Sequence, residues 1–152
     1  MGLKIGLGVS IWLLTKLDGI LLPDLGTKRQ GYIETRQRGN KMNKFELFTM
    51  IFFVLDGYWD DHKSDDLGQF LSGMNPFLFE DIGSAVPDIY HGFCKVLGDR
   101  NIAIDNSFAI AKEYISSIDA GYISDAFEWM DEEKWKASCN EYLSEPHKGD
   151  SE

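Results

Sequence analysis

The segment NKFELFTMIFFVLDGYWDD, residues 43–61, constrains the fold most. Placed at about 100° per residue, Phe45, Phe48, Phe52, Leu55 and Trp59 form one stripe, and Leu47, Ile51, Val54 and Tyr58 form a second beside it. Glu46, Thr49, Asp56 and Asp60 hold the remaining face, with Phe53 intruding among them. A helix apolar over two stripes must be covered on both, which makes it the central helix of a bundle. On this reading Phe53 is either capped by a neighbouring helix or part of a contact surface.

The residues that follow predict more helices, punctuated by Gly, Pro and Asn. Asn43 or Met42 opens the first helix, which runs to about Asp61. Ser64 or Asp65 caps a short helix, DDLGQFLS, ended by Gly73. Asn75-Pro76 opens another, PFLFEDI, stopped by Gly83, and Pro87 opens PDIYHGFCKVL, stopped by Gly98. DRNIAID reads as a loop with a brief extended piece at Ile102 and Ile104. Asp105 or Asn106 caps an amphipathic helix with Phe108, Ala111, Ile115 and Ile118 on its buried stripe, broken by Gly121. Ile123, Ala126, Phe127 and Met130 belong to a further helix, and Asp131 caps a last one carrying Trp135, Cys139, Tyr142 and Leu143. No strand pattern is long enough to build a sheet. The expected fold is all-α, a compact bundle of about five to seven short and medium helices with an irregular N-terminal extension.

Charge divides the chain unevenly. Residues 1–41 carry seven Lys/Arg against three acids, a net of +4, whereas the remaining residues carry eight against twenty-two, a net of −14. The expected organisation is therefore a basic extension over 1–41, an acidic helical domain over 42–144 and a disordered tail over 145–152. The extension starts with Lys4 and an apolar stretch from Ile5 to Leu14, too short to span a bilayer, and no small-residue cleavage pattern follows it. Two readings of it stand open. It is either a basic linker native to the protein, or translated upstream DNA ahead of a natural start at Met42. The second reading rests on the abrupt change at Met42 and on Arg38-Gly39, which a purine-rich ribosome-binding sequence can encode. N-terminal sequencing of the native protein separates them.

The net charge of −10 tells against direct nucleic-acid binding and against an anionic membrane surface, and favours a basic protein partner. Two cysteines, Cys94 and Cys139, make no disulfide framework, so a reducing, cytoplasmic setting is expected.

One stretch looks chemical: DDHKSDD, Asp60 to Asp66. As a metal site it pairs Asp61, His62, Asp65 and Asp66 with a second acidic cluster at Glu128 and Asp131, the arrangement that magnesium or manganese uses in phosphoester chemistry. A calcium loop is excluded, since His62 and Lys63 stand where oxygen ligands belong. The simpler reading gives Asp65 and Asp66 to a helix N-terminus, where they favour the dipole. Asp60 and Asp61 lie at a helix C-terminus, where acids are mildly unfavourable, which is the one hint of another role. His91 and Cys94 have zinc-compatible spacing but only two ligands, and read as surface histidine and core cysteine. No phosphate-binding glycine loop or nucleophile elbow is present.

Without a motif for chemistry, the expected function is a non-enzymatic acidic binding domain without a cofactor. Asp60, Asp61, Asp65, Asp66, Asp81, Asp88, Tyr90 and Phe53 are its candidate contact residues, because Tyr beside acids is a composition common in contact surfaces. In size, acidity and helical build the chain resembles bacterial nuclease-immunity proteins. That resemblance is one of type, rests on no motif and transfers no residue; it implies an inhibitor whose carboxylates stand in for nucleic-acid phosphates in a basic cleft. Two alternatives come from other classes. One is an all-α metal-dependent hydrolase acting on a nucleotide or phosphoester. The other is a regulatory or structural oligomer subunit with Phe53, Tyr122 and Trp129 on its contact face.

Overall fold

The computed structural model describes residues 40–152, and the readings made for residues 1–39 lie outside them. The described chain is all-α: α1 (Lys44–Asp61), α2 (Asp65–Met74), α3 (Pro87–Leu97), α4 (Ile104–Ile118), α5 (Gly121–Glu128) and α6 (Glu132–Leu143).

Helix α1 starts where its chemistry requires. The Asn43 side chain accepts from the Glu46 N–H at 2.8 Å and Glu46 accepts from the Asn43 N–H at 2.9 Å, so two of the orphan donors of the first turn are satisfied. Every residue from Phe45 to Asp56 is buried. This helix is the axis of the fold, packed by α2, α3, α4 and α5. Around it lie Phe93, Ala111, Ile123 and Trp135, all fully enclosed. The polar row of α1 turns inward with the rest, because a centrally placed helix has no solvent face. Glu46 and Thr49 are fully enclosed and Asp56 is 3% exposed.

Caps match expectation at Ser64, which accepts from Leu67 N–H, and at Asp131, which accepts from Lys134 N–H at 2.8 Å. Gly98 ends α3 with φ of 63°. Elsewhere the ends differ. Helix α4 begins one residue before Asp105, with Asn106 accepting from Ala103 N–H inside its first turn. It stops at Asp119, which takes the left-handed conformation (φ 59°), while Gly121 is the first residue of α5. The extended piece at Ile102–Ile104 pairs with the residues before α1: Met42 N–H donates to Ile102 O and Ile104 N–H to Asn40 O, around an antiparallel bridge from Lys41 to Ala103. Asn40 and Lys41 therefore belong to the helical domain rather than to the extension.

Two expectations fail. PFLFEDI is not a helix but a loop of turns. Its backbone bonds run back to α2: Asn75 Oδ1 accepts from Phe77 N–H at 2.8 Å, Ala85 N–H donates to Asn75 O, and Val86 N–H to Gly73 O. These bonds and the docking of Phe77 beside Phe52 and Phe53 replace the i to i+4 ladder. The tail 145–152 is ordered, not disordered. His147, Lys148 and Gly149 bind back to α1 and to the 76–86 loop through side-chain chemistry that a polar composition alone conceals.

Candidate functional site

Between α1 and α2 runs a groove holding a cavity of about 320 Å³. Helix α1 contributes Phe52, Asp56 and Trp59; α2 and its caps contribute polar groups from Ser64 and Asp65 at one end to Asn75 at the other. The close approach depends on Gly68, where a Cβ would stand 3.1 Å from the Trp59 indole nitrogen. The indole N–H donates to Ser64 O at 3.2 Å, which fixes the ring against the start of α2. On the other side, the Lys63 ammonium lies 4.4 Å from the ring centroid and donates to Asp60 O.

Asp56 dominates the electrostatics of this groove. Burial pushes its carboxyl up from 3.8 to about 7; the neighbouring charge of Asp60 adds to the rise and Lys63 partly opposes it. A buried acid titrating near neutrality in a cavity is a marker of functional sites.

The second candidate region is the 76–86 loop. Leu78, Phe79 and Val86 are 52%, 59% and 47% exposed, three large apolar side chains of one loop left in water. Glu80 and Asp81 adjoin it in the loop, and Asp88 lies in the first turn of α3. Phe79 and Asp81 also line a concavity of about 430 Å³ reaching His91. The loop is held from behind: Lys148 Nζ donates to Pro76 O and Phe79 O, both at 2.6 Å. Partial burial lowers the Lys148 pKa, and the charges of Asp81 and Glu80 offset part of that effect.

The tail that supplies Lys148 is anchored by an ion pair. His147 Nε2 meets Glu46 Oε2 at 2.6 Å, with both side chains almost wholly buried. His147 Nδ1 lies 2.6 Å from Glu145 O, so both ring nitrogens face oxygen atoms. Asn43 Nδ2 donates to Gly149 O at 2.8 Å beside it.

Among the residues expected to form contacts, Asp61, Asp65, Asp66, Asp81 and Asp88 are exposed and Asp60 is half-buried. They fall into two groups, at opposite ends of α2, whose ten residues rise about 15 Å. Tyr90 is half-buried, with its ring against Phe45 and Phe48. Phe53 is removed from the contact set: it is 4% exposed, stacked on Phe77 and edge-on to Tyr142, because the loop and α6 cover that face of α1. Tyr122 and Trp129 are partly exposed on and just after α5, although the Trp129 indole N–H is tied to Val54 O at 3.1 Å.

The metal reading needs Asp61, His62, Asp65, Asp66, Glu128 and Asp131 to converge, and they do not. Among the described residues no group of three or more His, Cys, Asp or Glu side chains is placed to hold an ion. His62 instead stacks on Tyr58 at 4.2 Å, and Asp131 is the cap of α6. The linker at Lys63 and Ser64 breaks the helical register that would have aligned the two aspartate pairs.

Asp56, His147 and Lys148 were not singled out from the sequence. The signal for Asp56 was the row Glu46, Thr49, Phe53, Asp56, Asp60 at three- and four-residue spacing, which becomes meaningful once α1 is known to be covered all round. Among the described residues no helix is long and apolar enough to cross a membrane. Set against protein-family models, curated proteins and solved structures, the chain matches none.

Proposed function

We propose that the chain is a non-enzymatic binding protein whose acidic surface around the 76–86 loop engages a basic protein partner. The observation behind this reading is that Leu78, Phe79 and Val86 are all exposed on one loop that also carries Glu80 and Asp81, with Asp88 just after it. An apolar centre with a charged rim is how protein interfaces are built, and the rim would steer a cationic partner into register. Lys148 and the Asn75 and Gly73 carbonyl bonds hold the loop in one shape, so little ordering entropy opposes docking. The inhibitor version of this reading places the surface over a basic cleft, with Asp81 and Asp88 facing its cations.

The test is affinity capture with tagged full-length chain, comparing wild type with Phe79→Ser and Asp81→Lys. A stoichiometric basic partner held by wild type, lost with Phe79→Ser and bound more slowly with Asp81→Lys, supports the reading. A partner retained equally by all three, or none at all, counts against it. The oligomer reading is second, favoured by the partly exposed Tyr122 and Trp129, and concentration-dependent sedimentation checks it.

A further inference from the structure

The capping box of α1 serves two elements at once. Asn43 Oδ1 accepts from Glu46 N–H and Glu46 Oε1 from Asn43 N–H, while the second polar atom of each side chain turns to the tail. Asn43 Nδ2 donates to Gly149 O at 2.8 Å, and Glu46 Oε2 meets His147 Nε2 at 2.6 Å. Gly149 has a φ of 85°, and a Cβ there would stand 2.5 Å from the Phe45 ring, so the tail lies on α1 where a side chain would lift it off. Lys148, between these two anchors, carries its ammonium within 5.3 Å of the centroid of that ring and on to Pro76 O and Phe79 O.

The loop that Lys148 reaches is secured at its ends by its own neighbours. Phe77 N–H donates to Asn75 Oδ1, Ala85 N–H to Asn75 O and Val86 N–H to Gly73 O, and Ser84 Oγ accepts from Tyr90 N–H at 3.0 Å. The middle lacks such support. Among the described residues, the one hydrogen bond reaching 78–83 is that from Lys148 to Phe79 O. This middle stretch carries Leu78, Phe79, Glu80 and Asp81, the side chains assigned above to the partner surface. Backbone with few bonds of its own opens at little cost, so the shape of that surface is set from outside the loop.

We infer that residues 147–149 are a strap that sets the middle of the 76–86 loop, so that docking of the tail and the partner-competent shape of the loop are a single equilibrium. Its bearing on function rests on reading that loop as the docking surface, while the coupling itself needs no partner. Coupling is reciprocal: freeing the tail loosens the loop, and undocking the loop frees the tail. A factor that takes up the tail would therefore dismantle a surface it does not touch, and a partner seated on the loop would tighten the tail on α1.

The experiment is NMR of the full chain without a partner. Backbone order parameters from Phe79 to Gly83 should lie near the rigid value of about 0.85 in wild type and fall below about 0.6 in Lys148→Met, which keeps an apolar stem beside Phe45 and removes the donors. Gly149→Ala leaves Lys148 and the loop chemically intact and should produce the same fall by lifting the tail. In the other direction, Phe77→Ala undocks the loop from Phe52 and Phe53. It should speed amide exchange at His147 and Asp150, both hydrogen-bonded within the tail, by about fivefold or more beyond any change in the middle of α4. Order parameters that hold in Lys148→Met or in Gly149→Ala overturn the inference, as does tail exchange that only keeps pace with α4 in Phe77→Ala. Because no partner enters, these results stand apart from the capture test. A rigid loop in Lys148→Met removes the strap and leaves the docking surface, whereas failed capture with a loosened loop removes the partner reading and leaves the strap.

Discussion

Replacing Asp56 by asparagine should change how stability depends on pH, in the direction opposite to that of an ordinary surface carboxylate. The residue is 3% exposed and its carboxyl pKa is raised from 3.8 to about 7, by burial first and by Asp60 second, against a smaller opposing effect of Lys63. The unfolded chain offers none of these surroundings. Below about pH 4 both states hold the proton; between about pH 4 and 7 the native state keeps a proton that the unfolded state has released. Native stability from this group is therefore full at low pH and is lost as pH rises through 7. A shift of about three units corresponds to about 4 kcal/mol, and water reaching the groove reduces it to about 2–4 kcal/mol between about pH 4 and 8. The asparagine side chain of the variant mimics the neutral acid and does not titrate. The assay is urea unfolding of wild type and Asp56→Asn across that range. The variant should match wild type within about 1 kcal/mol near pH 4 and exceed it by about 2–4 kcal/mol at pH 8, roughly 8–16 °C in Tm for a domain of this size. Curves that stay parallel within about 0.5 kcal/mol across the range would refute the reasoning, because a group whose pKa is not raised cannot separate them.

Two further outcomes follow from buried polar contacts. His147→Ala leaves Glu46 enclosed without its imidazole partner, at a cost of about 3–5 kcal/mol, and should release the tail. Fast hydrogen exchange over 145–152 and a more mobile 76–86 loop would show this, whereas unchanged protection would mean that the tail is held by something else. Trp135→Phe removes the 2.7 Å bond from the indole N–H to Ser107 Oγ and part of a fully enclosed ring, with an expected loss of about 2–3 kcal/mol in chemical denaturation. A loss below about 0.5 kcal/mol would show that the core closes over the gap and that Ser107 finds another donor.

Much of the helical framework was legible from local chemistry. Asn43, Ser64 and Asp131 cap their helices through bonds to residues three positions on, and such contacts depend on nothing outside the segment. The stripes carrying Phe48, Phe108 and Trp135 are likewise set by the helical period, which decides the buried face before any partner is known. Pro87 and Gly98 mark the ends of α3 because their backbone preferences act on the spot.

Tertiary structure decided the rest, and each case turned on a contact distant in sequence. Pro76–Ser84 had the signals of a helix start, yet Phe77 gains more by docking beside Phe52 and Phe53 than the segment gains from one more helical turn. The tail reads as disordered from its polar composition, but Glu46, a residue 101 positions earlier, gives His147 a buried partner. Phe53 left the candidate surface, and Asp56 entered the candidate site, for one shared reason: helices and loop close over every side of α1, so its polar row faces the interior. The sequence by itself determined which residues can form helices and which faces they bury. Only the packed chain determined that a single carboxyl group would be enclosed beside Trp59, because desolvation belongs to no residue alone and arises when other elements exclude water from it.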